Sequence, residues 1–224
     1  MPMLLENLRK SYKTPEGTKF DVLRIARLEI PDGAQWVITG RSGSGKTTFL
    51  NLIAGIVTPD EGRIVVGDTE VTAISESGRD RFRARRIGFV FQTFNLLQGF
   101  DALENVLVGM LFAGRVDRAR AESLLERVGL ANRMRYRPSS LSVGQQQRVA
   151  IARALANDPA LILADEPTGN VDPATGETII ALLKDVCREG NRTLLIVTHQ
   201  PQVVQSFAKV VDLAQLQGNG APCP

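Results

Sequence analysis

The nine residues GRSGSGKTT, Gly40 to Thr48, leave this chain few folds to choose from. They match G-x-x-x-x-G-K-[ST] in full. They follow QWVITG (35–40), which reads as a buried strand, and precede a run that reads as a helix over 46–54. A strand, a glycine-rich turn and a helix in that order cradle a phosphate chain. Gly40, Gly43 and Gly45 let the backbone curl so that several N–H groups meet one anion, and the helix N-terminus adds partial positive charge. Arg41, Ser42, Ser44 and Thr48 complete the cradle. Lys46 can bridge β- and γ-phosphates, and Thr47 can offer its hydroxyl to Mg²⁺. A glycine-serine turn with a chance lysine would lack these flanks.

What the loop lacks, LILADEP supplies. Leu161 to Ala164 read as a core strand that Asp165 ends, where a carboxylate can hold Mg²⁺ directly or through water. Glu166 follows at once. If the chain is extended there, the two carboxylates point to opposite sides, one toward the metal and one toward water for in-line attack. His199, the sole histidine, ends LLIVTH, expected to run parallel to LILAD and so to finish at the same sheet edge. From there it can donate to a γ-phosphate. Gln92 ends GFVFQ in the same way and can reach Mg²⁺ or the attacking water. Alone, His199 is better read as a strand-end histidine with a structural bond, and Gln92 is a weak signal.

The remaining pattern places these motifs. Residues 3–8 and 19–30 read as strands around the turn-like TPEG, Thr14 to Gly17, with further strands at GRIVVG, IGFVFQ and KVVDLA. From 101 to 156 the periodicity is helical, and strands then return, so an α/β layer is interrupted by an all-helical insert over about 93–158. The chain of 224 residues reads as one domain, with a poorly ordered tail over 217–224. A net charge of +3 is too small to argue for nucleic acid. The arginine-rich RDRFRARR, Arg79 to Arg86, reads as a solvated helix face before a strand. Cys187 and Cys223 show no metal or disulfide spacing, which fits a reducing compartment. The N-terminus lacks the apolar core of a signal peptide. The most apolar run, LENVLVGMLFAG, is broken by Glu104, Asn105 and Gly109, short of the about 18 residues that span a bilayer.

One stretch stands apart. LSVGQQQR, Leu141 to Arg148, opens a second helix with Ser142 and Gly144, as if for a second anion. By physics alone it is an ordinary helix start: Ser142 caps, and Gln145 three residues on completes a capping box.

The order of these pieces changes that reading. Over about residues 3 to 213 the chain resembles the nucleotide-binding subunits of ABC transporters. Tyr12 stands where the family has an aromatic, GRSGSGKTT is its Walker A and Gln92 its Q-loop. LSVGQQQR is its signature, LILADE its Walker B with glutamate, GNVD (169–172) its D-loop and His199 its switch histidine. The resemblance implies a P-loop NTPase fold of ABC type, with an antiparallel β subdomain beside the α/β core and the helical insert. It implies ATP and Mg²⁺, with Thr47, Gln92 and Asp165 as metal ligands and Glu166, His199 and Gln92 as catalytic residues. It also implies head-to-tail pairing of two such subunits, expected to be two copies of this chain. Ser142, Gly144 and Gln145 would then serve the partner's nucleotide, Asp172 would work across the interface, and Tyr12 would stack on adenine. Val143 departs from the pattern, which usually has glycine there.

IGFVFQTFNLL, LENV and ADEPTGNVD look most like the lipoprotein-releasing, macrolide-export and cell-division FtsE subgroup. That implies an ATPase peripheral on the inner face of the cell membrane, held there by an integral-membrane permease and driving export, lipoprotein release or mechanotransmission. The alternative is an FtsE-like regulator that signals through its membrane partner without transport. In this subgroup the groove after the Q-loop receives a permease helix, so Phe94, Leu96, Leu97 and Phe100 are either that surface or part of this chain's own core. Translation- and repair-type ABC ATPases need two domains or a long coiled coil, and a P-loop kinase would lack the signature and D-loop.

Overall fold

The computed structural model of the chain describes residues 1–217. Apart from Gln217, the tail expected to be poorly ordered lies outside the described residues, as does Cys223.

Two sheets share the work. The first is antiparallel in the order β2-β1-β4-β5, from β1 (Met3–Lys13), β2 (Lys19–Ile30), β4 (Glu61–Val66) and β5 (Thr69–Glu70). β1 runs five residues past its expected end because its ladder with β2 continues to Lys13↔Lys19, across a register shift at Lys10/Ser11. The hairpin closes through Gly17 N–H to Thr14 O at 2.9 Å, with Gly17 at φ 87°.

The second sheet is parallel in the order β6-β7-β8-β3-β9. It comprises β3 (Gln35–Thr39), β6 (Ile87–Val90), β7 (Leu161–Asp165), β8 (Thr193–Val197) and β9 (Lys209–Asp212). β7 and β8 are buried at every position. Alternate residues serve two cores, which is why these strands read as unbroken apolar runs. Ile162, Ala164, Leu194 and Ile196 join the core on the helical side. Leu161, Leu163, Leu195 and Val197 join the core shared with the antiparallel sheet and α1 (Lys46–Ile53).

Between β6 and β7 the described regular elements are all helical: α3 (Ala102–Leu111), α4 (Arg118–Arg127), two short 3₁₀ turns and α5 (Val143–Ala154). The apolar ALENVLVGML is a ten-residue helix with an Asp101/Glu104 capping box. Among the described residues no helix is long and apolar enough to cross a membrane. α6 (Pro173–Glu189) and the short α7 (Pro201–Gln205) and α8 (Leu213–Leu216) complete the chain. α2 (Glu76–Arg86) is only partly the solvated face its arginines suggest. Phe82 is buried, Arg79 donates to Ile74 O at 2.8 Å and Arg83 to Gly55 O at 2.6 Å, while Arg81, Arg85 and Arg86 stay exposed.

Cys187 on α6 is fully buried, and burial pushes its thiol up to about 12. In a Cys223→Ser chain, a thiol reagent at pH 8 is therefore expected to react only as fast as the protein unfolds. Immediate stoichiometric labelling of the native chain would contradict this packing.

Candidate active site

Every strand-borne motif ends at the carboxyl edge of the parallel sheet. β3 leads into the glycine-rich loop, β7 ends at Asp165, β8 leads to His199 and β6 to Gln92. The strand that leads to His199, β8, lies between β7, which carries the carboxylates, and β3, which leads into the loop.

The loop is wound as its composition requires. Gly43 and Gly45 have φ of 76° and 93°, and a Cβ on Gly45 would meet Val22 at 2.9 Å. Lys46 is buried at the start of α1 and its Nζ donates to Gly40 O and Arg41 O, each at 2.9 Å. An ammonium has a third proton to offer. Arg41, Ser42 and Thr47 are exposed. The Ser44 hydroxyl is buried without a hydrogen-bond partner, a polar atom in the cradle that a ligand oxygen would satisfy.

Burial raises the Asp165 carboxyl above its ordinary value; the Thr47 hydroxyl and the Lys46 ammonium oppose this, and the Glu166 charge adds to it. Among the described residues no three His, Cys, Asp or Glu side chains cluster to cage an ion. One carboxylate beside one hydroxyl and a phosphate cradle fits Mg²⁺, which takes few protein oxygens and completes its shell from phosphates and water.

Glu166 departs from the extended geometry expected of it. Its N–H still bonds Val197 O at 2.9 Å, but its φ is 43°, the left-handed region that non-glycine residues seldom occupy. This turn, and not strand alternation, separates it from Asp165. It aims the Glu166 side chain at the end of β8. Oε2 accepts from Thr198 Oγ1 at 2.8 Å, and Oε1 accepts from His199 N–H at 3.2 Å and lies 2.6 Å from His199 Nδ1. The His199 side chain remains 63% exposed. Thr198 is thus a site residue that the motif reading passed over; its signal was a polar residue closing an all-apolar strand immediately before the histidine.

Gln92 is exposed, and its amide lies 3.3 Å from where a Cβ on Gly169 would stand. Its backbone carbonyl accepts from Asn170 Nδ2 at 2.7 Å. Asn170, unassigned within GNVD, therefore ties the segment after β7 to the segment after β6. Tyr12 is 39% exposed near the end of β1, with Lys10 Nζ 5.6 Å from its ring centroid.

The remaining predicted residues lie elsewhere. Ser142, Val143, Gly144, Gln145, Asn170 and Asp172 line a separate depression of about 850 Å³, and none of residues 40–48 lines it. Ser142 and Gln145 form the capping box of α5, with Gln145 N–H to Ser142 Oγ at 3.3 Å and Ser142 N–H to Gln145 Oε1 at 3.0 Å. Asp172 caps α6 by accepting from Thr175 N–H at 3.0 Å. A Cβ on Gly144 would meet Thr175 Cγ2 at 2.6 Å, so the absence of a side chain lets α5 and α6 approach. Val143 is 44% exposed on this surface.

Of the four apolar residues after Gln92, Leu96 is buried and Phe94 packs against the core, while Leu97 and Phe100 remain exposed.

Residues 23–169 match the family model described as ABC transporter. An uncharacterized ABC transporter ATP-binding protein of Thermotoga maritima is 44% identical over 93% of this chain and 90% of its own length. The lipoprotein-releasing system ATP-binding protein LolD of Pseudomonas syringae is 44% identical over 92% of each. Among solved structures, the dimeric post-hydrolysis state of the ATP-binding cassette MJ0796 bound to ADP and Pi superposes with a TM-score of 0.86. It is 39% identical, covering 94% of this chain and 93% of that one.

Proposed function

The chain belongs to the ABC transporter family, and on that premise we propose that it is the ATP-hydrolysing subunit of a membrane transport complex, working as a head-to-tail pair held at the inner face of the membrane by a permease. The observation that carries this reading is the separation of Ser142, Gly144, Gln145 and Asp172 from the phosphate loop of the same chain. A helix start and a carboxylate gathered on one surface, away from the cradle, suit a nucleotide held by a second copy. The names of the relatives, LolD among them, agree with a membrane partner, and the dimeric MJ0796 cassette agrees with the pairing.

In this reading Lys46 and the loop amides hold the β- and γ-phosphates, and Tyr12 stacks on the adenine. Thr47 and Asp165, with Gln92, would hold Mg²⁺, which supplies charge neutralisation across the phosphates. Glu166, fixed by Thr198 and His199, takes the proton from the attacking water. His199 has an exposed ring edge to offer the γ-phosphate. Ser142 and Gly144 of one copy close over the nucleotide of the other, so each turnover joins the two chains and product release parts them. That cycle is what the permease would convert into movement.

Ser142 separates the two roles. As a cap alone, Ser142→Ala costs about 1 kcal/mol of stability and leaves turnover nearly unchanged. As a ligand of the partner's ATP, it also lowers kcat at least about tenfold, in line with loss of one preorganised donor. Steady-state phosphate release measured against chain concentration tests the pairing. Activity per chain is expected to rise with concentration in the unsubstituted chain and to stay low in Ser142→Ala. Activity per chain that is constant down to nanomolar concentrations, with Ser142→Ala fully active, would overturn the shared site.

A further inference from the structure

Gln200 follows His199 and belongs to none of the motifs. It is the N-cap of α7, yet its side chain makes no bond to that helix, although an N-cap side chain ordinarily accepts from the first turn. It turns instead to Thr168, 32 positions earlier. Its Oε1 accepts from Thr168 Oγ1 at 2.6 Å, and its Nε2 donates to Thr168 O at 3.2 Å. An amide oxygen only accepts and an amide nitrogen only donates, so these two bonds fit one orientation of the carboxamide. Thr168 is 3% exposed. The pair ties the segment after β7 to the segment after β8.

The Gln200 N–H donates to Thr198 Oγ1 at 3.1 Å. A hydroxyl carries one proton, and with a donor on one side that proton is left for Glu166 Oε2, 2.8 Å away. The contacts close a ring. It runs from the Glu166 carboxylate through Thr198 and Gln200 to Thr168, then back along the chain to Glu166. Gly169 N–H to Glu166 O at 3.0 Å tightens the backbone side.

Glu166 needs such a ring. Its φ of 43° is a conformation that persists only where surrounding contacts hold it. His199 reaches Oε1 from an exposed ring, whereas Thr198 reaches Oε2 from full burial. We propose that Gln200 and Thr168 are positioning residues for ATP hydrolysis: their paired hydrogen bonds hold the Thr198 hydroxyl against Glu166 Oε2 and keep the carboxylate aimed at the attacking water. The proposal rests on the reading of Glu166 as the base. Both residues also line a cavity of about 320 Å³ between α6 and α7, and none of residues 40–48 lines it. Water entering there can satisfy the groups that a truncated Gln200 leaves behind.

The test measures steady-state phosphate release against ATP concentration in the full-length chain, for Gln200→Ala, Thr168→Val and the two combined. Each single variant is expected to lower kcat at least about tenfold, since misplacing a catalytic group by about 1 Å can cost about a hundredfold. KM should stay within about twofold, because the phosphate loop is untouched. The combined variant should be no worse than the worse single one, as both break one ring. Thr168→Ser keeps the hydroxyl and should hold kcat within about threefold of the unsubstituted chain. In a Glu166→Gln background, Gln200→Ala should cost less than about twofold, because the group it positions is already gone. A merely structural role would lower kcat by the same factor in either background. An unchanged kcat in Gln200→Ala, or an equal loss in both backgrounds, would overturn the proposal. If Gln200→Ala does not fold, Thr168→Val against Thr168→Ser decides, and equal kcat for these two overturns it. An unsubstituted chain without ATP turnover at any concentration would overturn the hydrolytic reading and the brace with it. Full turnover that is indifferent to Gln200→Ala would overturn the brace alone.

Discussion

Glu166→Gln is expected to lower ATP turnover at least about a hundredfold, the scale of a lost general base, while ATP binding stays within about threefold of its unsubstituted value. The geometry explains why binding should survive. Lys46 and the glycine loop sit on β3 and α1, and the substitution touches neither. The fold should also tolerate it. Thr198 Oγ1 and the His199 N–H both donate to Glu166, on different oxygens, and a carboxamide keeps one of these acceptors. Its NH₂ group can face the His199 ring in place of the second oxygen. The cost in stability is then about one hydrogen bond, roughly 1 kcal/mol. Phosphate release, nucleotide binding and thermal melting on one preparation separate these terms. A variant that binds ATP, melts normally and keeps turnover within about threefold would show that Glu166 only positions His199. Such a result would send the search for the base elsewhere at the sheet edge.

A large loss of stability is expected from Gly88→Ala. Gly88 lies on β6 opposite Ile162 of β7. A Cβ there would stand 2.4 Å from Ala154 O and 2.6 Å from Ile162 Cδ1. Ile162 can turn, but Ala154 O is backbone at the end of α5, so relief requires the helix to move off the sheet. Overpacking of this kind costs about 1–3 kcal/mol, and each kcal/mol lowers Tm by about 2–4 °C in a chain of this size. Gly99→Ala is the control. Its Cβ would meet nothing within 4 Å and its φ is not positive, so a change within about 0.5 kcal/mol is expected. Urea melts followed by circular dichroism compare the two. Equal midpoints for Gly88→Ala and Gly99→Ala would contradict the α5–β6 contact. That contact also matters for the site, because the helix that would be displaced begins at Ser142.

How much of this was legible beforehand depended on the distance over which each feature is decided. GRSGSGKTT between a strand and a helix sufficed for the phosphate cradle, because a few consecutive dihedrals fix its shape and glycine supplies the ones other residues avoid. LILADEP sufficed for a carboxylate at the end of a core strand. The capping box at Ser142 was equally local, closed within four residues. The further extent of β1 was not, since its last residues are held by pairing with β2 and not by an apolar pattern of their own.

The strand order 6-7-8-3-9 was hidden for the same reason. Strands buried on both faces look alike in sequence, so nothing local says that β8 separates β7 from β3. Yet that placement brings Thr198 and His199 onto Glu166. The positive φ at Glu166, the Asn170 bond to Gln92 and the Gln200 bonds to Thr168 likewise join segments 32 to 78 positions apart, or arise where such segments meet. The sequence alone determined which chemical groups the chain carries and the local turns that present them. Only the tertiary structure decided which groups meet, because long-range burial selects strand order and helix docking, and hydrophobic burial has no direction that a one-dimensional pattern could record.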